Sequence, residues 1–198
     1  MIQEGYISQK RLEWINENVT RNRNFPWFHY PVPVTGYSKN WPTFSHILIG
    51  RYDYDNLSEG TSNSDYEPFF TDLIKEICIE NDLKLRRILR GAINYSGYFK
   101  EKYSHTHYDH NWEHYNIIIY LNNFSKGSTY LFKETNEDKT QPYKAKKIIK
   151  EMKADVGKYY IFPGENYHAA GSVGKDDEYR MICIYTVELH DKLIKVGK

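Results

Sequence analysis

Residues 115–122 (YNIIIYLN) set the character of the C-terminal half of the chain. They are rich in β-branched and aromatic residues, which favour strands, and residues 128–132 (STYLF) repeat this pattern after a glycine-containing turn. Similar short runs occur on both sides, each bounded by Gly, Asn, Pro or charged residues. The expected strands span residues 85–94, 115–122, 128–132, 147–152, 158–162 and 179–188.

Two helices are expected before these strands. The first spans residues 8–19, where Ser8 can cap the helix and apolar residues recur at helical spacing. The second spans residues 68–78, because Pro68 suits a first helical turn and the apolar residues after it fall on one stripe. This stripe, which should pack on a sheet, consists of Phe70, Leu73, Ile74 and Ile77.

The segments between these elements complete a single-domain prediction. Residues 25–33 contain three prolines, which confine strands to sheet edges, and are expected to form an extended aromatic arm. Residues 44–51 read as a strand, and residues 52–66 as a long polar loop. The sequence therefore predicts a mainly β domain with flanking helices (α+β), a sandwich or small barrel over residues 1–198, with residues 1–43 as an N-terminal helix and arm packed on it.

Composition excludes several classes of protein. The 198 residues carry a formal net charge of +1, so nucleic-acid binding is not indicated. The mean hydropathy is -0.75, and no apolar run approaches the roughly 18 residues of a membrane span. The N-terminus shows no secretory pattern, and the lone thiols of Cys78 and Cys183 fit a reducing compartment. A cytoplasmic, non-membrane protein is expected.

The densest group of metal-ligand side chains lies in residues 104–114 (SHTHYDHNWEH). His107 and Asp109 are two residues apart, so on an extended segment they point to one face and can share an ion. His168, just after a predicted strand, is the candidate third ligand. Two imidazoles and one carboxylate on one side of a metal leave positions open, the arrangement of non-haem Fe(II) oxygenases. Two alternatives are a bulge that makes His105 the first ligand and a surface histidine cluster that only contacts water.

Arg180 is the second unusual residue, because it opens the apolar strand 179–188. A buried guanidinium is costly without an anionic partner, and its fork of N–H groups matches a carboxylate. A ligand carboxylate is one candidate partner. The alternatives are solvent, or pairing with Asp176 or Asp177.

The order of these pieces along the chain resembles a known family. The chain resembles the 2-oxoglutarate/Fe(II)-dependent dioxygenases of the prolyl-4-hydroxylase-like type. The pieces that carry this resemblance are, in order, residues 107–109, the strand 115–122, the run 157–163 (GKYYIFP), His168 and Arg180. The resemblance covers roughly residues 24–190. Within that superfamily, the arm that begins NFPWF at Asn24 resembles small oxygenase-like proteins of tailed bacteriophages, which would imply a location in the host cytoplasm.

The resemblance implies a double-stranded β-helix, a distorted jelly roll with helices outside one sheet. It implies that His107, Asp109 and His168 hold Fe(II) as the catalytic centre, and that Arg180 binds the distal carboxylate of 2-oxoglutarate. One position on the iron would remain for O2. The implied reaction is hydroxylation of an unidentified substrate, a peptide or protein side chain or a small molecule.

The resemblance also suggests roles for residues around this centre. Tyr120 and Asn94, on neighbouring predicted strands, are expected to hydrogen-bond the cosubstrate. Trp112, Tyr108 and the loop 52–66 are candidate walls of the substrate pocket, and the turn GST at residues 127–129 is interpreted as structural. The alternatives are a cupin-like metal-binding protein with non-oxidative chemistry and a non-enzymatic jelly-roll binding or virion-associated module.

Overall fold

The computed structural model describes residues 2–30, 43–50, 60–138 and 145–190. In these residues two antiparallel sheets face each other as a jelly roll, with α1 (Gln9–Ile15) and α2 (Glu67–Glu80) packed outside the larger sheet. The strands are β1 Gln3–Tyr6, β2 Phe28–Tyr30, β3 Thr43–Gly50, β4 Thr61–Ser62, β5 Leu85–Ser96, β6 Tyr115–Tyr120, β7 Thr129–Thr135, β8 Ile148–Met152, β9 Lys158–Pro163, β10 Asn166–Ala170 and β11 Arg180–Leu189.

The larger sheet has the order β1-β9-β6-β11-β5-β3-β2, with β4 paired to β3, and the smaller sheet has the order β10-β7-β8. The last strand, β11, therefore lies between β5 and β6. The prediction that Asn94 and Tyr120 lie on neighbouring strands is wrong, because Ile182 of β11 pairs with Asn94 on one side and Tyr120 on the other. Pairing between distant segments is not encoded in local sequence pattern, which explains the error.

Successive side chains of the strands point to alternate faces, so the larger sheet has a hydrophobic core on each of its two faces. On β6, Ile117 and Ile119 face the helices, whereas Ile118 and Tyr120 face the smaller sheet. This alternation is what a strand buried on both faces requires. The expected stripe of α2 lies buried against the larger sheet, which confirms its predicted packing. The core between the two sheets consists of Ala92, Ile118, Tyr120, Leu131, Met152, Tyr160, Phe162, Ile182 and Ile184.

The first helix differs in detail from its prediction. Ser8 caps it as expected, accepting from the Arg11 N–H at 3.4 Å. The α-helix ends at Ile15 and continues as a π-helical turn, Asn16–Thr20. The Asn18 side chain donates to the Trp14 carbonyl at 2.9 Å, the kind of local bond with which polar side chains compete with regular helix geometry.

The strand predictions hold in type, and the structure adds β1, β2, β4 and β10. The short strand β4 lies within residues 52–66, which were expected to form only a loop. β1 is polar and short, and pairs with β9 at the sheet edge. β2 is the opposite edge strand, as the prolines of the arm led us to expect. β10 is the most consequential addition, since it places His168 on a strand rather than after one. Residues 31–42 of the N-terminal segment, residue 51 of the expected strand 44–51 and residues 52–59 of the expected loop lie outside the described residues. Among the helices of the described part, none is long and apolar enough to cross a membrane.

Candidate metal centre

His107 and His168 form a directly opposed backbone pair. The His107 N–H donates to the His168 carbonyl at 3.0 Å, and the His168 N–H donates to the His107 carbonyl at 2.8 Å. Opposed residues of an antiparallel pair present their side chains to the same face. The two imidazole rings accordingly lie 4.5 Å apart between centroids. His168 also packs against Phe162 of the inter-sheet core, so this face is the interior of the jelly roll.

Asp109 completes the group from two residues further along. Its Oδ2 lies 3.4 Å from His168 Nε2, and the ligand atoms of His107, Asp109 and His168 all fall within 4.8 Å of one another. The structure thus brings together the three side chains that the sequence analysis selected. His105 is not part of this group, and its backbone carbonyl instead faces His107 Nδ1 at 3.1 Å.

Both histidines have one ring nitrogen occupied by the backbone. His107 Nδ1 bonds the His105 carbonyl, and His168 Nδ1 bonds the Asn166 carbonyl at 3.2 Å. A carbonyl can only accept, so each Nδ1 carries the proton and each Nε2 has a free lone pair. This is how metal-binding histidines are oriented.

Among the described residues, Arg90 and Asn116 donate to the Asp109 carboxylate. Arg90 Nη1 donates to Oδ1 at 3.2 Å, and Asn116 Nδ2 donates to Oδ2 at 2.9 Å. Sequence reasoning did not select either residue, although Asn116 is the one hydrophilic amide in the otherwise apolar and aromatic strand β6. Their bonds fix the orientation of the carboxylate toward the histidines.

The electrostatics of the group suit a cation at neutral pH. Burial by itself would raise the pKa of Asp109, but His168 and Arg90 beside it lower that pKa far below its ordinary range. Burial, assisted by His107, lowers the pKa of His168 to about 4. At neutral pH the group therefore offers an ionised carboxylate and a neutral imidazole on His168, the protonation states that bind metal.

Arg180 lies inside the jelly roll and is 3% exposed. Its Nε donates to the Gly127 carbonyl at 2.9 Å, its Nη2 donates to Thr129 Oγ1 at 2.7 Å, and its guanidinium carbon lies 5.6 Å from the Tyr120 ring centroid. Within the described residues it has no ion pair, so neither solvent nor an aspartate compensates its charge as the alternatives required. Burial lowers the pKa of Arg180. The turn 127–129 also does more than shape the backbone, because it supplies both of these acceptors.

Tyr120 and Asn94, the other two predicted cosubstrate contacts, already bond within the protein. The Tyr120 hydroxyl donates to the Met152 carbonyl at 2.8 Å and accepts from the Thr129 N–H at 2.9 Å. Thr129 thereby connects Tyr120 to Arg180. Asn94 accepts from the Ser45 hydroxyl at 2.7 Å. Their roles toward a cosubstrate stay predictions.

The two candidate walls of the substrate pocket have different surroundings. The Trp112 indole N–H donates to Oε1 of buried Glu188 at 3.1 Å. Tyr108 packs edge-on against Tyr167, with ring centroids 5.2 Å apart. Tyr108 thus belongs to a cluster with Tyr130, Phe132 and Ala169, apart from the inter-sheet core that contacts His168. The roles of both residues as walls stay predictions, and residues 52–59 of the predicted loop lie outside the described part of the chain.

Comparison with known proteins places the architecture. No family model matches the chain, and no curated protein matches it. Among solved structures, it is similar to an oxidoreductase of the 2OG-Fe(II) oxygenase family from Burkholderia pseudomallei, with TM-score 0.64 and 12% identity over 95% of this chain and 83% of the other. A Pseudomonas putida prolyl-4-hydroxylase matches with TM-score 0.53 and 12% identity over 94% and 91% of the two chains.

A third similar structure is the non-haem α-ketoglutarate-dependent epimerase SnoN from nogalamycin biosynthesis, with TM-score 0.58 and 10% identity over 94% of this chain and 77% of the other. At such identities the likeness establishes the fold alone. It is the jelly roll seen in 2-oxoglutarate/Fe(II) oxygenases, and it confirms the predicted fold class.

Proposed function

We propose that the chain is a non-haem Fe(II)/2-oxoglutarate-dependent dioxygenase that hydroxylates a peptide or protein side chain or a small molecule. The observation that carries this proposal is one fold interior holding both an open-sided group of two histidines and a carboxylate, and a buried arginine without a carboxylate partner among the described residues. Neither the group of three ligands nor the buried arginine identifies a function by itself. Together they match a metal and a dicarboxylic cosubstrate.

The residues present fit Fe(II). His107, Asp109 and His168 would hold it, because two free Nε2 atoms and one ionised carboxylate face a common point and occupy one side of an ion. When bound together with 2-oxoglutarate, the metal supplies activation of O2 for attack on a C–H bond. Arg90 and Asn116 keep the Asp109 carboxylate aimed during that chemistry.

Arg180 fits the distal carboxylate of 2-oxoglutarate. Its Nε and Nη2 already hold the neutral acceptors of the turn, and its charge has no carboxylate partner in the described chain. A buried cation gains most from a charged acceptor, and the guanidinium fork fixes the direction in which that acceptor lies. The hydroxyl of Thr129 lies 2.7 Å from the guanidinium and is therefore placed to contact the same ligand.

The inter-sheet core excludes water from the space around these groups. Side chains such as Ile118, Ile182 and Ile184 line the interior face with apolar surface. Exclusion of water strengthens the attraction between Arg180 and an anionic ligand. It also shields a reactive oxidant from solvent.

An anaerobic spectroscopic titration tests the proposal. Fe(II) and 2-oxoglutarate added without oxygen should produce a weak visible charge-transfer band with the wild type and none with His168→Ala. The matched control is His105→Ala, which leaves the backbone carbonyl that orients His107 in place and should retain the band. An unchanged spectrum in the wild type, or a bound metal indifferent to 2-oxoglutarate, would favour a cupin-like zinc site instead.

The finer assignments stay predictions. The similar structures include both a prolyl-4-hydroxylase and an epimerase, so hydroxylation is proposed on the resemblance to the prolyl-4-hydroxylase-like type. The cytoplasmic location and the likeness of the aromatic arm to phage proteins are likewise expectations from the sequence.

A further inference from the structure

A row of three polar side chains crosses the sheet beside the candidate metal centre. Thr186 of β11 is paired with Arg90 of β5 on one side and with Asn116 of β6 on the other. Directly paired residues share a face, and both Arg90 and Asn116 contact Asp109. The row therefore lies on the interior face, against the carboxylate of the proposed metal centre.

This row has unused hydrogen-bonding capacity. Asn116 Oδ1 and Thr186 Oγ1 are buried, belong to residues that are 0% exposed, and have no hydrogen-bond partner in the part of the chain that the structure describes. Arg90 uses a single Nη1 N–H on Asp109, and its other N–H groups meet no acceptor among the described residues. Buried polar groups without partners are costly, so such a row indicates a missing ligand.

The charges around the row favour an anion. Arg86 and Arg87 lie on the same strand as Arg90, and both pair with Glu188, at 3.5 Å and 2.7 Å. Among the described residues, these three guanidinium groups pair with the carboxylates of Glu188 and Asp109. A metal ion on Asp109 would add further positive charge. The Arg90 side chain is 26% exposed, so a ligand can reach it.

We propose that Arg90 and Thr186 bind a carboxylate of the substrate, with Asn116 Oδ1 accepting from a neighbouring N–H or O–H of the same molecule. The inference rests on the proposed function and names the substrate class for that centre. Orienting Asp109 does not account for the row, because Asn116 Nδ2 already bonds that carboxylate and the Thr186 hydroxyl makes no hydrogen bond to it. A carboxylate would take the free N–H groups of Arg90 as a charge-assisted pair.

The remaining charges near Trp112 restrict where that anion can lie. Glu113, Glu137 and Glu165 line a cavity of about 330 Å³ together with Trp112. Three carboxylates would repel a substrate carboxylate from that cavity. The anion is therefore expected at Arg90 and not in that cavity.

The test measures binding by paramagnetic relaxation. The protein is loaded with Mn(II) and saturated with N-oxalylglycine, an unreactive 2-oxoglutarate analogue that occupies the cosubstrate position. The probes are N-acetyl amino acids as free carboxylates, their primary amides, and phosphoserine. Relaxation of probe protons by Mn(II) reports binding next to the metal and requires no turnover.

We expect at least one free carboxylate to be relaxed, and its amide to bind at least about 10-fold more weakly, as loss of a charge-assisted bond predicts. Arg90→Gln should remove this preference, and Thr186→Val should weaken carboxylate binding while Mn(II) affinity stays unchanged. Arg11→Gln, which breaks a surface pair with Glu76, is the matched control and should behave as wild type.

Equal relaxation by carboxylates and amides, relaxation by phosphoserine alone, or a preference that survives both substitutions would overturn the assignment while leaving the proposed function intact. Failure of the wild type to bind Mn(II) or N-oxalylglycine would overturn the proposed function, and the carboxylate site with it.

Discussion

The indole N–H of Trp112 donates to the buried carboxylate of Glu188 and ties the segment that carries Asp109 to the end of β11. Arg87 holds the same carboxylate through two N–H groups, at 2.7 Å and 2.8 Å, so Glu188 is itself fixed. The segment after Asp109 is thus anchored by a side-chain bond. Precision at the metal centre depends on contacts of this kind, outside the ligands themselves.

Replacing Trp112 should loosen that anchor. Trp112→Phe keeps an aromatic ring but removes the donor, and we expect Mn(II) affinity to fall by about 10-fold, as for other changes that disorient a ligand. Calorimetric titration with Mn(II) measures it. Trp14→Phe, at a ring stacked on Phe69 of α2, is the control and should leave the affinity unchanged. Equal affinities in all three proteins would mean that the anchor has no role at the centre.

Removing Asn116 should act directly on Asp109. Asn116→Ala deletes the 2.9 Å bond to Oδ2 and should lower metal affinity by about 10- to 100-fold. The same titration measures the loss, with Asn63→Ala as control, because Asn63 is an exposed amide that donates to the Ile47 carbonyl. An affinity within twofold of wild type would show that the bond from Asn116 does not orient the carboxylate.

Binding of the cosubstrate at Arg180 should be measurable as a rise in the melting temperature. In the presence of Mn(II), saturating 2-oxoglutarate should raise the melting temperature of the wild type, because a ligand that binds only the folded state stabilises it. Arg180→Gln keeps hydrogen-bonding capacity but removes the charge, so it should show no rise at the same concentration. Thermal denaturation measures both. A rise of the same size in the variant would place the cosubstrate elsewhere.

The stability of the metal-free protein should depend on pH through His168. Its pKa is lowered from 6.5 to about 4 in the folded state. As pH falls, His168 in the unfolded chain therefore takes up a proton before His168 in the folded chain does. The contribution of His168 to the free energy of unfolding is complete above about pH 6.5 and is lost progressively down to about pH 4. The loss should be on the order of 3 kcal/mol.

Denaturant unfolding at a series of pH values measures this loss. Asp109, whose pKa is also lowered, loses its contribution in the same direction but only below its ordinary value of 3.8. The profile of His168→Gln should consequently be flatter between pH 6.5 and 4. A variant profile parallel to that of the wild type would contradict the assignment of His168 as a buried neutral imidazole.

Local sequence rules predicted much of the fold and part of the centre. Period-2 and period-3.6 patterns gave the strands and α2, and the i, i+2 rule placed His107 and Asp109 on one face. His168 was found by its position in the order of the chain, although the short β10 that carries it was not predicted. The strands, α2 and the His107–Asp109 pair could be predicted because each depends on a pattern within a few neighbouring residues.

The parts that local rules missed depend on pairing between distant strands. Arg90 and Asn116 meet Asp109 only because β11 inserts between β5 and β6, and no pattern within either strand encodes that neighbour. In the sequence, Glu188 has the pattern of a polar residue at the end of a strand. Its role is visible only in the fold, where the Trp112 indole donates to it. The carbonyl of Gly127 carries no side-chain signal at all.

A crystal structure with Mn(II) and N-oxalylglycine, with the metal located by its anomalous scattering, tests the central claim most directly. We predict a single ion held by Nε2 of His107, Nε2 of His168 and a carboxylate oxygen of Asp109, with the distal carboxylate of the analogue on Arg180. An ion bound instead through His105, His110 or His114, or an analogue that leaves Arg180 without a carboxylate, would contradict it.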